Sequence, residues 1–229
     1  MNPTKNDYNW RMLGEQGLRC FGSISASISH EIRNAVAIMH ENAGLMQDLF
    51  AVAEKGKPLD PDRLKRLGDG ILQQVRRAEL ITRNMNAFAH SVDDSEKSIQ
   101  LEEHLKLAAA LFARTAASKK ISLEVYEQDS SLTTVTNPFF LLSLLWFCLL
   151  YAMEHIQASG TIALSAERGG DGVEVKLQGL DAAAVSGGQD VFPSPREQAF
   201  AQALDGRVGL SGDSRSISIY LPRRQAAGG

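Results

Sequence analysis

The stretch Phe21-Gly22-Ser23-Ile24-Ser25-Ala26-Ser27-Ile28-Ser29-His30-Glu31-Ile32-Arg33-Asn34 decides the first half of the chain. Its apolar residues extend into a series, Phe21, Ile24, Ile28, Ile32, Ala35, Met39, Ala43, Met46 and Phe50, at steps of three and four. That step is the period of one face of an α-helix, so a helix is expected from about Asn9 to Val52. Gly56-Lys57-Pro58 ends it. Asp60 followed by Pro61 then reads as an N-cap with proline at the first helical position. A second helix follows to about Ala89, with the stripe Leu64, Leu67, Ile71, Val75, Ala78, Ile81, Met85 and Phe88. Two long helices with a short loop make an antiparallel hairpin. One hairpin leaves part of each stripe wet. Two hairpins packed as a four-helix bundle do not, so a homodimer is expected.

Ser91 to Lys97 is polar and acidic and reads as a link, and an α+β pattern follows. The pattern predicts a helix over Leu101 to Ala117, a strand over Ile121 to Tyr126 and an apolar helix from about Pro138 to Ile156. Strands Thr161 to Ala166 and Val173 to Leu177 flank the turn Arg168-Gly169-Gly170-Asp171-Gly172. Asp181 to Pro195 reads as loop, Arg196 to Leu204 as a short helix, and Val208 to Ser211 with Ser216 to Leu221 as a closing hairpin. Disorder is expected for the tail, Gln225 to Gly229. The division this implies is 1–97 for the helical hairpin and 98–229 for the α+β domain.

Composition narrows the classes. A net charge of -3 gives no electrostatic footprint for nucleic acid or an anionic membrane. The longest apolar run, Phe139 to Met153, is shorter than the roughly 20 residues a membrane span needs, so it reads as a buried helix. No signal peptide opens the chain, and a cytoplasmic location is expected. The two cysteines, Cys20 and Cys148, make no metal pattern and read as apolar fillers. His40, His90, His104 and His155 lack metal-ligand spacing with a cysteine or carboxylate, so no metal is expected. Gly169, Gly170 and Gly172 lie in a strand-to-strand turn and not at a helix N-terminus, which argues against a phosphate loop.

The octapeptide Ser27-Ile28-Ser29-His30-Glu31-Ile32-Arg33-Asn34 resembles the H-box of two-component histidine kinases, where the histidine is the phosphoryl acceptor. Phe21-Gly22-Ser23-Ile24 and Gln73 to Phe88 also resemble that hairpin. Ala35 departs from the family, which mostly has a helix-kinking proline there, so a straighter helix is expected. At 100° per residue, His30 lies about 200° from Ile28 and from Ile32, away from the seam and in solvent. The resemblance implies that Glu31 accepts a proton from the imidazole and fixes its tautomer. It also implies that Asn34, one turn on, orients water for dephosphorylation of a receiver, and Arg33 could contact a phosphate.

The second half resembles a Bergerat-fold (GHKL) ATPase domain in scaffold only: Lys119-Lys120-Ile121-Ser122-Leu123 at its first strand, Gly206-Arg207-Val208-Gly209 to Leu221-Pro222 at its closing hairpin. The family's magnesium-holding asparagines fall on Phe147 and Tyr151, which offer no hard oxygen ligand of that kind. Gln178-Gly179-Leu180-Asp181-Ala182 stands where its adenine-reading box belongs. Phe192-Pro193-Ser194-Pro195 stands where a glycine loop would offer amides to phosphate, and proline has no amide to donate. Neither ATP nor magnesium is therefore expected to bind.

The leading expectation is a histidine phosphotransfer protein that relays or removes phosphoryl groups between His30 and the aspartates of response-regulator receiver domains, without ATP. Two alternatives stay open: an active histidine kinase with a divergent nucleotide site, and a non-catalytic pseudokinase interaction protein. About 25 residues precede the octapeptide, so input is expected from another protein.

Overall fold

The computed structural model describes residues 9–126, 132–187 and 191–223. The fold is α+β: a long N-terminal helical hairpin followed by a mixed sheet with helices. Helix α1 runs unbroken from Trp10 to Glu54, through Ala35, which is fully buried. Gly56 follows it at φ +84°, a left-handed position that costs glycine little, and its amide donates to the carbonyl of Ala53. Helix α2 spans Pro61–Ala89. Its start is as the sequence predicts: Asp60 Oδ1 accepts from the amide of Arg63 at 3.0 Å, with Pro61 at the first position.

The chain divides into two compact units. One is the body of the hairpin, Ser25–Asn86. The other joins the chain up to Ile24 with everything from Ala87 onward.

In the hairpin body, Ile28, Ala35 and Ile81 are buried. Val36, Ile38, Leu45, Phe50, Leu72, Val75 and Leu80 keep large exposed areas, between 37% and 55% of each residue. One hairpin therefore leaves much of its apolar surface uncovered, although of these seven residues only Phe50 and Val75 belong to the stripes read from the sequence.

In the second unit, a five-stranded sheet has the order β2-β4-β5-β7-β6. The strands are β2 (Ser122–Val125), β4 (Thr161–Gly169), β5 (Gly172–Gln178), β6 (Arg207–Leu210) and β7 (Ser216–Pro222). Only β2 and β4 run parallel; the other neighbours are antiparallel. Period-2 patterning sets the register. Val173, Val175 and Leu177 pair with Leu221, Ile219 and Ile217, and all six are buried on one face. Gly172 permits the β5–β7 approach, since a Cβ there would meet the Leu221 carbonyl oxygen at 2.1 Å. Helices α3 (Leu101–Ser118) and α4 (Pro138–Glu154) cover the apolar face, and α6 (Pro195–Ala203) packs on α4. Helix α4 is apolar all round because it is buried on every side, and Asn137 caps it by accepting from the amide of Phe140 at 2.8 Å.

Three sequence expectations need correction. Two strands were missed, β1 (Lys97–Gln100) and β3 (Thr133–Thr136), which pair antiparallel as a separate small sheet. Ile99 supplies the buried side chain of β1, and Thr134 and Thr136 those of β3. The polar link is not wholly solvent-facing: a 3-10 turn, His90–Val92, buries Ser91, whose hydroxyl donates to the carbonyl of Phe88 at 2.6 Å. Within the expected loop Asp181 to Pro195, a short helix α5 forms over Ala182–Gly187, opened by the Asp181 carboxylate, which accepts from the amide of Ala183. The expected tail disorder at Gln225 to Gly229 lies outside the described residues.

The base of the hairpin belongs to the second unit through aromatic packing. The Phe88 ring, without exposed surface, lies 5.3 Å from Phe21 and 6.0 Å from Phe139 between centroids. Phe88→Ala removes the middle ring, and is expected to cost about 3–5 kcal/mol as a lowered urea midpoint. A loss below about 1 kcal/mol would show that the stack is not a core element.

Candidate functional site

Helix α1 presents His30, Arg33 and Asn34 as exposed side chains. His30 and Asn34 stand four residues apart and so share a face. Exposed Ser23 and Ala26 and half-buried Ser27 precede them, and small side chains there leave the approach to His30 open. The Ser29 hydroxyl turns back to donate to the carbonyl of Ser25 at 2.8 Å, so it is tied to its own helix. Glu31 behaves differently from its neighbours. Its side chain is only 16% exposed, and Oε2 lies 3.5 Å from the guanidinium of Arg77 on α2. No hydrogen bond joins Glu31 to His30 among the described residues. The sequence-predicted four, His30, Glu31, Arg33 and Asn34, thus lie within about one turn, and the structure adds Arg77, 46 residues away in sequence from Glu31.

The second unit places the other residues of interest around α4 and α6. Phe147 and Tyr151 are buried. The Phe147 ring packs against Phe200 at 5.5 Å and lies under the Arg196 guanidinium at 4.1 Å, a cation–π arrangement. Tyr151 stacks on His155 at 4.0 Å and meets Phe192 at 4.4 Å. Glu197, fully buried, accepts from both Nε and a terminal nitrogen of Arg196, at 2.8 and 2.7 Å, and from the amide of Ser194 at 2.8 Å. Ser194 and Glu197 form a capping box at the start of α6. The S-x-x-E spacing Ser194 to Glu197 was the sequence signal for that box; the Arg196–Phe147 contact had none.

The Gln178 to Asp181 segment is also internally bonded. The amides of Gly179 and Leu180 donate to the Arg215 carbonyl, and that of Asp181 to the His155 carbonyl. The Ala183 amide, then the Gln157 side chain, hold the Asp181 carboxylate below the usual carboxylate range. Cys20 is pushed up to about 12 by burial and Cys148 also well upward, so both stay thiols and act as apolar fillers. Burial likewise lowers His104, although the Gln100 carbonyl 3.1 Å from Nδ1 opposes it. Among the described residues, no group of three or more His, Cys, Asp or Glu could hold a metal ion. Among them too, no helix is long and apolar enough to cross a membrane.

No family model matches the chain, and no curated protein is similar to it in sequence. Solved structures are similar to it. The histidine kinase AdeS of Acinetobacter baumannii is 15% identical, with a TM-score of 0.46 over 86% of this chain and 98% of that one. The cytoplasmic segment of histidine kinase QseC is 16% identical, with a TM-score of 0.43 over 73% of this chain and 98% of that one. A histidine kinase from Burkholderia phymatum STM815 is 15% identical, with a TM-score of 0.43 over 88% and 95%.

Removing Glu197 leaves Arg196 without its carboxylate and α6 without half its cap. Glu197→Ala is expected to cost about 2–3 kcal/mol in chemical denaturation, between the cost of a lost cap and that of a broken buried ion pair. A cost under about 0.5 kcal/mol would mean that the cluster does not hold α6.

Proposed function

We propose that the protein is a dimeric histidine phosphotransfer protein, moving phosphoryl groups between His30 and receiver-domain aspartates without ATP. The observation that carries this reading is the exposed imidazole of His30 on an unbroken helix, inside an octapeptide similar to a phospho-accepting H-box. An acyl phosphate is energetic enough to transfer to imidazole, so the reaction needs position and charge more than a nucleotide. His30 Nε2 or Nδ1 attacks the phosphorus, the bond to the aspartate oxygen breaks, and the carboxylate leaves. Asn34, on the same face, is the residue proposed to orient water when the phosphoryl group is instead released.

The absence of nucleotide chemistry is part of the proposal. Phe147 and Tyr151 are packed into aromatic neighbours and carry no carboxamide for magnesium. Pro193 and Pro195 contribute no amide donor, and Glu197 claims that of Ser194. Titration with magnesium–ATP in a calorimeter is expected to give no heat of binding. Labelling of His30 by ATP, lost in His30→Gln, would instead establish the kinase alternative.

Dimerisation would cover the open hairpin surface. Met39, Val75 and Ala78 line a shallow groove on it together with Glu79, Thr82, Arg83 and Asn86. A second copy of the same hairpin matches this surface apolar for apolar, at roughly 25 cal/mol per Å² covered. Met39→Glu is expected to convert a dimer to a monomer by sedimentation at micromolar concentration while helicity is kept, because a lone charge in the seam goes unpaired. A monomeric native protein contradicts the dimer.

The functional test is transfer from a labelled phospho-receiver. Label is expected on His30, and His30→Gln should abolish it with little change in melting temperature, since the site is exposed. Asn34→Ala should spare transfer and remove the release of inorganic phosphate. Equal label on His30→Gln would place the acceptor elsewhere.

A further inference from the structure

The Glu31–Arg77 pair gives the His30 site a cation that the octapeptide does not contain. At 100° per residue, Glu31 lies about 60° from the Ile28 seam position, on the flank that also carries Ser27, Asn34 and His30. Arg77 comes from the opposite helix, and a terminal nitrogen of its guanidinium lies 3.5 Å from Glu31 Oε2 on that flank. The guanidinium has five N–H donors, and the contact to Glu31 uses one terminal nitrogen. With its side chain 47% exposed, Arg77 remains open to solvent on the side away from Glu31. A half-exposed pair at 3.5 Å contributes little to folding, so its main effect is where it puts the charge. A phosphoryl group at His30 brings negative charge spread over three oxygens, and a planar guanidinium suits that geometry better than an ammonium does.

We propose that Arg77 is the phosphoryl-orienting cation of the His30 site, and that Glu31 is the positioning residue that anchors it. This rests on the reading of His30 as a phosphoryl acceptor. In that arrangement Glu31 works through Arg77, and its carboxylate is directed across the hairpin. Arg33, on the other side of His30, belongs to α1 and has no comparable tether across the two helices among the described residues.

The test uses the full-length protein and phosphoramidate, a small phosphoryl donor that needs no receiver. Its P–N bond breaks, a bond forms from an imidazole nitrogen to phosphorus, and ammonia leaves with the proton that the imidazole gives up. His40, exposed on the same helix without such a pair, is the internal standard. Phosphorylation of each histidine is followed by mass spectrometry, with helicity checked by circular dichroism. Arg77→Gln is expected to slow labelling of His30 about tenfold, the effect of 1.36 kcal/mol, and to leave His40 unchanged. Glu31→Gln should slow His30 by less than Arg77→Gln does, the double variant should be no slower than Arg77→Gln, and Arg77→Lys should recover part of the rate. Non-additivity of this kind is the mark of two residues acting as one unit. An unchanged ratio of His30 to His40 labelling in Arg77→Gln overturns the proposal, as do effects that multiply in the double variant. Arg77-dependent labelling of His30, together with a failure of every receiver to exchange phosphate, would sink the phosphotransfer reading and leave the Arg77 site standing.

Discussion

Phe88 has no exposed surface, and the position of its ring constrains most of what lies around it. It ends α2, meets Phe21 of α1 on one side, and meets Phe139 at the start of α4 on the other. The contact continues from Phe139 to Phe140, and from there to Phe200 of α6 and Phe147 of α4. Aromatic rings add area-rich packing with defined geometry, so a chain of them fixes helices against one another more strictly than aliphatic side chains of equal volume. The two ends of the hairpin are thereby built into the α/β unit, and its central part, Ser25–Asn86, forms a compact body of its own.

The division of labour follows from burial. In the α/β unit the inner sheet face, α4 and the aromatic chain are closed, and at the start of α6 the Arg196, Ser194 and Glu197 groups bond to one another. Burying Glu197 is tolerable because the half-buried Arg196 guanidinium, resting on the Phe147 ring, gives its carboxylate two hydrogen bonds that offset desolvation. The hairpin body is the reverse. It has few fully buried residues, open apolar positions and an exposed row of polar side chains around His30. Chemistry that needs access belongs on the second surface, and the first supplies rigidity.

How far the sequence could be read depended on how local each signal was. The two hairpin helices were legible because their stripes persist over many turns, and Asp60-Pro61 marked a start to the residue. The alternating strands β5 and β7 were legible for the same reason. Strands β1 and β3 were not: each is four residues long, and β1 offers only Ile99 as a buried apolar residue among polar ones. Helix α5 was hidden because Ala182 to Gly187 carries no amphipathic period, and its start depends on the Asp181 side chain. At the candidate site, His30, Glu31, Arg33 and Asn34 could be picked out because they fall inside one octapeptide that resembles an H-box. Arg77 could not, because its place beside Glu31 is set by the pairing of the two helices. The Arg196 guanidinium over Phe147 likewise depends on how α6 packs on α4.

The central claim is that His30 exchanges phosphoryl groups with receiver aspartates and that no nucleotide takes part. Transfer in the outward direction tests it most directly. Protein phosphorylated on His30 with phosphoramidate and freed of donor is mixed with each receiver domain of the source organism, with magnesium for the receiver and no nucleotide. The account predicts that the phosphoryl group leaves His30 and appears on the aspartate of at least one receiver within minutes. Phosphohistidine that persists unchanged against every receiver, in protein whose His30 is phosphorylated readily by ATP, would contradict it.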